Sequence, residues 1–285
     1  MHAKGRRPFA AISCILLVLS AGLTGWRYTA EPGAYYAPSG EEADLTQLLQ
    51  KEKPDDGVYR TLLAQAGLGR PAVDALWDAP DGKQEILRLQ AAYFASAHFL
   101  CQPNSPISFE ERVTGAAGEE ARSTDIVGIQ AGDILLTPCS HTFGWRNGHA
   151  ALVVDPVGRR TLESVVLGSK SSIQDLSKWE GYPQFAVLRL RDASMATRAQ
   201  AAAWAMQHLV GIPYDFTVGV LHPKQPGETG ITGTQCAHLV WLAYKAAGYD
   251  IDSNGGRVVL PRDIARSPLL EVVQVYGVDP SLLPQ

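Results

Sequence analysis

From Gly132 onward the apolar residues fall into short runs broken by turn residues, and this alternation constrains the fold more than any other feature of the chain. Residues 132–136, Gly-Asp-Ile-Leu-Leu, read as a strand entered from a turn. Residues 149–154, 160–166 and 185–190 read as three more. Residues 195–210 form an alanine-rich helical run ending at Gly211, and residues 237–247 form a second ending at Gly248. Strands interspersed with helices predict an α+β domain. The 27 glycines and 18 prolines agree with a turn-rich fold and exclude a simple helical bundle.

Upstream the period is helical, over about 43–100. Leu45, Leu48 and Leu49 recur at helical spacing, as do Tyr59, Leu62, Leu63 and Ala66, closed by Gly67 and Gly69. Pro71 suits a first helical position before Ala72, Val73, Leu76 and Trp77, and Ile86, Leu89, Gln90, Tyr93 and Phe94 continue the pattern. No catalytic grouping occurs there, so packing or partner contact is the expected role. Residues 101–127, rich in Ser, Gly and Glu, read as a loop with a domain boundary near 120. This gives a helical region over 42–120 and a chemistry-bearing domain over 121–285. A chain of 285 residues has room for both.

The first 27 residues read as an export signal or an uncleaved membrane anchor. Lys4, Arg6 and Arg7 precede an apolar run over 8–25, and Trp26 and Arg27 follow where an interfacial anchor would stand. Cys14, inside that run, is an apolar filler. Residues 28–41 are small, polar and proline-bearing, and read as a tether. The expected location is extracytoplasmic: periplasmic, secreted or membrane-anchored. A net charge of −4 supplies no positive field, so no nucleic-acid partner is expected.

Cys236 follows Gly233-Thr234-Gln235 and opens an apolar helix, with Thr234 the expected N-cap. The partial positive charge of a helix start favours a thiolate there, the form a cysteine nucleophile needs. The plain alternative is a small buried residue at a helix start. His149 opens the strand over 149–154, where it can project into a cleft as a base; taken alone it is a half-exposed strand histidine. Glu163 is the candidate to orient the imidazole. Asp155-Pro156-Val157-Gly158 reads as a type I turn with glycine in the bulge position. A loop over 156–158 then pairs Asp155 with Arg159, sets His149 against Val165, and sets Ala151 against Glu163. Glu163 becomes the diagonal same-face neighbour of His149, about 7–8 Å away. A two-residue loop would present Ser164 instead, and the plain alternative for Glu163 is an exposed strand position.

Other reactive residues lack such partners. Cys139, His141 and His149 fit no closed zinc spacing, and no glycine-rich phosphate loop occurs, so neither metal nor cofactor is expected. His238 points about 200° away from Cys236 on a helix and is assigned to packing or solvent. His98, His208 and His222 have no partner in sequence and are treated as structural. Asp215 stays unassigned. Gln235 receives no role because consecutive side chains diverge. Pairing of Cys101 with Cys139 is left open. Four cysteines are too few for a disulfide-stapled scaffold.

Five short motifs in order carry a resemblance. They are Gly132-Asp133-Ile134-Leu135, Gly148-His149 before an apolar and then a Glu-bearing strand, and Gly211-Ile212-Pro213-Tyr214-Asp215-Phe216. Cys236 opening a helix with Leu239-Val240-Trp241, and Leu260-Pro261-Arg262-Asp263-Ile264-Ala265-Arg266-Ser267, complete the set. Over about 130–270 the chain resembles the YiiX/YaeF-type permuted papain-fold cysteine hydrolases. These are relatives of the NlpC-type cell-wall endopeptidases and of lecithin retinol acyltransferase. The resemblance implies a circularly permuted papain-like domain, its antiparallel sheet packed on the cysteine helix, and a small helical region before it. It also implies Cys236 as nucleophile, His149 as base, Glu163 as the third polar residue and Tyr214 lining the substrate site. Where relatives often carry Cys-Ser-Glu-Leu-Val, this chain has Cys236-Ala237-His238-Leu239-Val240, which keeps the nucleophile and alters its surroundings.

The expected activity is an exported thiol hydrolase that cleaves amide bonds, with peptidoglycan peptides as first substrate. One alternative is a lipid-directed acyl hydrolase or acyltransferase; another is an inactive binding module. A mild alkylating agent is expected to label Cys236 faster than Cys101 or Cys139, read by peptide mass spectrometry. Equal rates would remove the activated thiol.

Overall fold

The computed structural model describes residues 35–284 apart from 39, 96, 228 and 229. The expected signal or anchor, Cys14 and residues 28–34 of the tether lie outside the described residues. Four helices come first: α1 (Thr46–Leu49), α2 (Asp56–Ala66), α3 (Arg70–Trp77) and α4 (Gly82–Phe94). Asp55 caps α2 by accepting from Val58 N at 2.9 Å, and Gly67 closes it in the left-handed conformation at φ 66°. Pro71 sits one place later than expected, at the second position of α3.

The stretch read as a loop holds a hairpin, β1 (His98–Ser105) and β2 (Ser108–Thr114), which corrects the sequence expectation. With β4 (Ser140–Thr142) it forms a three-stranded sheet in the order β1-β2-β4. The reason is visible in β2: Glu110, Glu111 and Arg112 are charged yet sequestered in ion pairs, so the strand carries no apolar alternation. Cys101 faces Glu111 in β1, while the Glu111 amide donates to the Cys139 carbonyl on the opposite side. Two strand spacings separate the cysteines by roughly 9–10 Å. That exceeds the Cα separation of about 7 Å that a disulfide tolerates.

The main sheet comprises β3 (Ile134–Thr137), β5 (His149–Asp155), β6 (Arg160–Glu163), β7 (Ser172–Asp175), β8 (Phe185–Leu190) and β9 (Leu270–Tyr276). Their order is β7-β6-β5-β3-β8-β9, every neighbour antiparallel. Helices α5 (Met195–His208) and α6 (Cys236–Ala246) pack on each other and on β5, and the short α7 (Pro261–Ala265) touches α6 and β3. This is the α+β class expected; β7 and β9 were not read from the sequence. β6 ends at Glu163, three residues before the expected end. The Gly132-Asp133 motif is a structural clamp: buried Asp133 takes two bonds from Arg189, at 2.8 and 2.7 Å, and the Gly132 carbonyl accepts from the Tyr244 hydroxyl of α6.

One apolar cluster joins Leu62 and Ile86 of the helical layer to Val273 and Val275 of β9 and to Trp241 of α6. The boundary expected near residue 120 thus separates elements that share a core. The layers meet backbone to backbone: Gly69 N donates to Val273 O at 2.9 Å, and Val275 N donates to Gly67 O at 2.7 Å. A Cβ on Gly69 would overlap the Val272 carbonyl. Gly69 has an ordinary φ of −75°, so this glycine is demanded by close approach alone. Gly69→Ala is expected to lower stability by about 1–3 kcal/mol, measured by urea unfolding. An unchanged midpoint would show that the helical layer does not seat against β9.

Candidate active site

Cys236 is the first residue of α6 and is buried. Its N-cap is Gln235, not Thr234: the Gln235 Oε1 accepts from Ala237 N at 2.9 Å, and its Nε2 donates to Val259 O at 2.6 Å. The side chain folds back over the helix start, so it does not diverge from Cys236; the thiol lies 3.5 Å from Gln235 Oε1. Thr234 bonds instead to His238 Nδ1 at 3.0 Å. His238 is thereby committed to packing, with Nε2 donating to Lys224 O at 2.8 Å and the ring stacked on Trp241.

His149 opens β5 directly after Gly148, whose φ is 75°. A Cβ on Gly148 would stand 2.7 Å from the Thr137 carbonyl, so only glycine lets the chain turn into the strand here. The hairpin register agrees with the expected arithmetic where it matters: Leu152 pairs with Leu162 and Val153 with Thr161. At the turn the expectation fails. Asp155 pairs with Arg160, the left-handed residue is Arg159 at φ 52°, and the ladder shifts between Val153 and Asp155. A loop one residue longer is absorbed by this bulge, so the alternation that puts His149 and Glu163 on one face survives.

Glu163 has no exposed surface and accepts four hydrogen bonds. His149 Nε2 donates to Oε2 at 2.7 Å and Lys178 Nζ to the same oxygen at 3.3 Å; Trp179 Nε1 donates to Oε1 at 2.8 Å and the Thr161 hydroxyl at 2.7 Å. The Trp179 ring also stacks on the imidazole, 5.6 Å between centroids and 15° from parallel. Lys178 and Trp179 belong to a 3₁₀ turn, Leu176–Gly181, and sequence reasoning missed both. The only signal was an aromatic and a cation in an otherwise loop-like stretch.

Burial opposes charge on Glu163, yet the Lys178 ammonium and the His149 bond hold its carboxyl well below the usual carboxylate range. Burial likewise lowers His149, but hydrogen bonds to Cys236 and Glu163 outweigh it and raise the imidazole to about 9. Since Nε2 is engaged by Glu163, Nδ1 is the nitrogen left for the sulfur. A raised imidazole adds stability that is complete below about pH 6.5 and is lost as pH rises through about 9. The depressed carboxyl adds stability that is lost only as pH falls toward its lowered value.

Tyr214 also reaches the site. It bridges in parallel to Thr234, and burial and then the charge of Cys236 raise its hydroxyl. The flanking bonds Thr234 N to Pro213 O, at 3.0 Å, and Asp215 N to Thr234 O, at 2.8 Å, lay the Gly-Ile-Pro-Tyr segment along the approach to α6. Asp215, unassigned from sequence, pairs with His222 at 2.6 Å. His141 pairs with Glu111 at 2.7 Å, remote in role from His149. Among the described residues no group of three or more His, Cys, Asp or Glu is placed to hold a metal ion.

No protein-family model matches the chain. Over 82 residues it is 38% identical to "Uncharacterized protein YycO" of Bacillus subtilis (strain 168), a stretch covering 28% of this chain and 31% of YycO. The match thus spans about a third of the length of that curated relative. Among solved structures it is similar to the metalloprotein YiiX of Escherichia coli O157:H7, at 17% identity and a TM-score of 0.40, over 50% of this chain and 96% of YiiX.

Cys236→Ala removes the sulfur partner of His149 while Glu163 stays. The imidazole is expected to fall from about 9 by about one unit or more, a loss of about 1.4 kcal/mol of preference for the charged ring. An NMR titration of the ring reads this, and an unchanged value would show that sulfur and imidazole do not interact.

Proposed function

We propose that the chain is an exported thiol hydrolase that cleaves amide bonds through Cys236, His149 and Glu163. The observation that carries this reading is a buried row of sulfur, imidazole and carboxylate, in which His149 Nε2 meets Glu163 Oε2 at 2.7 Å and Cys236 and Glu163 together raise the imidazole. A buried carboxylate aimed at the far nitrogen fixes the ring and favours its charged form, which is what a thiolate partner requires. The histidine strand preceding the cysteine helix in the chain, and the packing of α6 on β5, support a permuted papain-like arrangement.

In the first half-reaction the Cys236 thiolate forms a bond to the substrate carbonyl carbon. The C–N bond breaks, and the amine leaves with the proton that His149 held. In the second, His149 takes a proton from water, the resulting hydroxide adds to the thioester, and the acid departs as the sulfur regains its charge. The backbone N–H of Cys236, unpaired within its helix, faces the developing oxyanion, and Tyr214 lines the approach. The N-terminal segment and the resemblance together favour peptides of peptidoglycan as substrate and an extracytoplasmic location.

A second reading is a hydrolase or acyltransferase acting on acyl-lipids. It is favoured by a cavity of about 480 Å³ beside Gly148, walled by Leu136, Pro138, Trp145, Pro261, Val278 and Leu283. The test is incubation of the protein with muropeptides and with acyl-lipid amides, followed by mass spectrometry of the products. Cleavage of a peptide amide supports the first reading and of an acyl amide the second. Cys236→Ala is expected to abolish either with the fold retained by circular dichroism. Persistent cleavage would remove the mechanism, and turnover of neither substrate by the native protein would favour a binding module.

A further inference from the structure

Of the four donors to Glu163, three cannot guarantee its charge. Thr161 and Trp179 are neutral, and His149 gains and loses its proton during the proposed cycle. Lys178 alone brings a lasting positive charge. We propose that Lys178 is a positioning residue of this site, holding Glu163 as the carboxylate behind His149. The inference rests on the catalytic reading above and deepens it.

The surroundings explain why Lys178 stays there. Its Nζ lies 3.3 Å from Glu163 Oε2 and 3.7 Å from Glu110 Oε1. Glu110 would draw the ammonium away, but it is already engaged by Arg112 and by the Tyr182 hydroxyl, the latter at 2.9 Å. Arg112 lies over the Tyr182 ring at 3.9 Å, and its Nη1 donates to the Lys178 carbonyl at 2.5 Å, which pins the 3₁₀ turn. Charges thus alternate from the imidazolium through Glu163, Lys178 and Glu110 to Arg112, crossing from β5 and β6 through the turn to β2. Cys236 and Tyr214 face the inner end of this row, and Tyr182 faces Glu110, Arg112 and Glu163 along it. Among the charges acting on Glu163, that of Lys178 is the foremost in opposing the effect of burial.

Lys178 itself stands at the wall of a polar cavity of about 560 Å³, shared with Glu110, Glu120, Arg112 and Arg122, and it keeps 22% of its side chain exposed. Its replacement therefore opens no hole in the apolar core. Two effects of removing its charge act in one direction. The row gains a net negative charge, which opposes a thiolate at Cys236. Glu163 also accepts a proton at higher pH, which deprives the imidazolium of its partner. Both weaken the support that the row gives to a charged imidazole beside Cys236.

The test uses iodoacetamide on the intact protein, with the Cys236 adduct quantified by peptide mass spectrometry across pH. Lys178→Met is expected to raise the midpoint of the acid limb by about one unit, which slows labelling about tenfold at a fixed pH below it. Lys178→Arg, which keeps the charge, is expected to retain the native midpoint. Lys178→Gln makes the same charge loss with a polar side chain and serves if the Met variant folds poorly. Met and Gln profiles that overlie the native one overturn the assignment, as does a uniform fall in rate with no change of midpoint, the mark of a merely structural role. A native protein whose Cys236 is labelled no faster than Cys101 or Cys139 sinks the catalytic reading and this inference together.

Discussion

A carboxylate removed entirely from water is the constraint around which this molecule is organised. Glu163 can be charged at that depth only if its lone pairs are filled, and the fold brings donors from three directions to fill them: β5, β6 and the 3₁₀ turn. Because Trp179 both donates to Glu163 and stacks on His149, one side chain fixes the carboxylate and the plane of the ring it serves. The imidazole is thereby held in place with little freedom.

The rest of the architecture brings a helix start to a strand end. α6 is apolar on all sides and lies among α5, α7 and β5, and the Tyr244 hydroxyl ties it to the Gly132 carbonyl at the entry to β3. Its first residue therefore has a fixed height over the sheet. Gly148 sets His149 at the matching height by a turn that no side chain permits. The helical layer contributes no group to the site. Its part is to cover β9, with Gly67 and Gly69 letting backbone meet backbone.

Much of this was legible in the residues. Apolar period and glycine punctuation located α5, α6, β3, β5 and β8 to within a few residues: the strands and α6 bury most of their side chains, and α5 is an alanine-rich run closed by Gly211. The facing of His149 and Glu163 followed from turn length, and it survived an error in the turn because a bulge restored the register. The β1–β2 hairpin was invisible because β2 buries charged residues in ion pairs, so its composition is that of a loop. The N-cap was misassigned because a glutamine can reach back over a helix start as well as a threonine can, and local preference does not tell which will.

What the sequence determined by itself is the class of the fold, the candidate nucleophile at a helix start, and the face of the sheet on which an imidazole and a carboxylate stand. These depend on periods of two and of 3.6 residues and on turn lengths, all of which act over a few neighbours. Only the tertiary structure decided that Lys178, Trp179 and Thr161 converge on Glu163, that Gln235 closes over the thiol, and that Cys101 and Cys139 flank a strand too wide to bridge. Those facts depend on which distant segments share a wall, and short-range pattern carries no record of that.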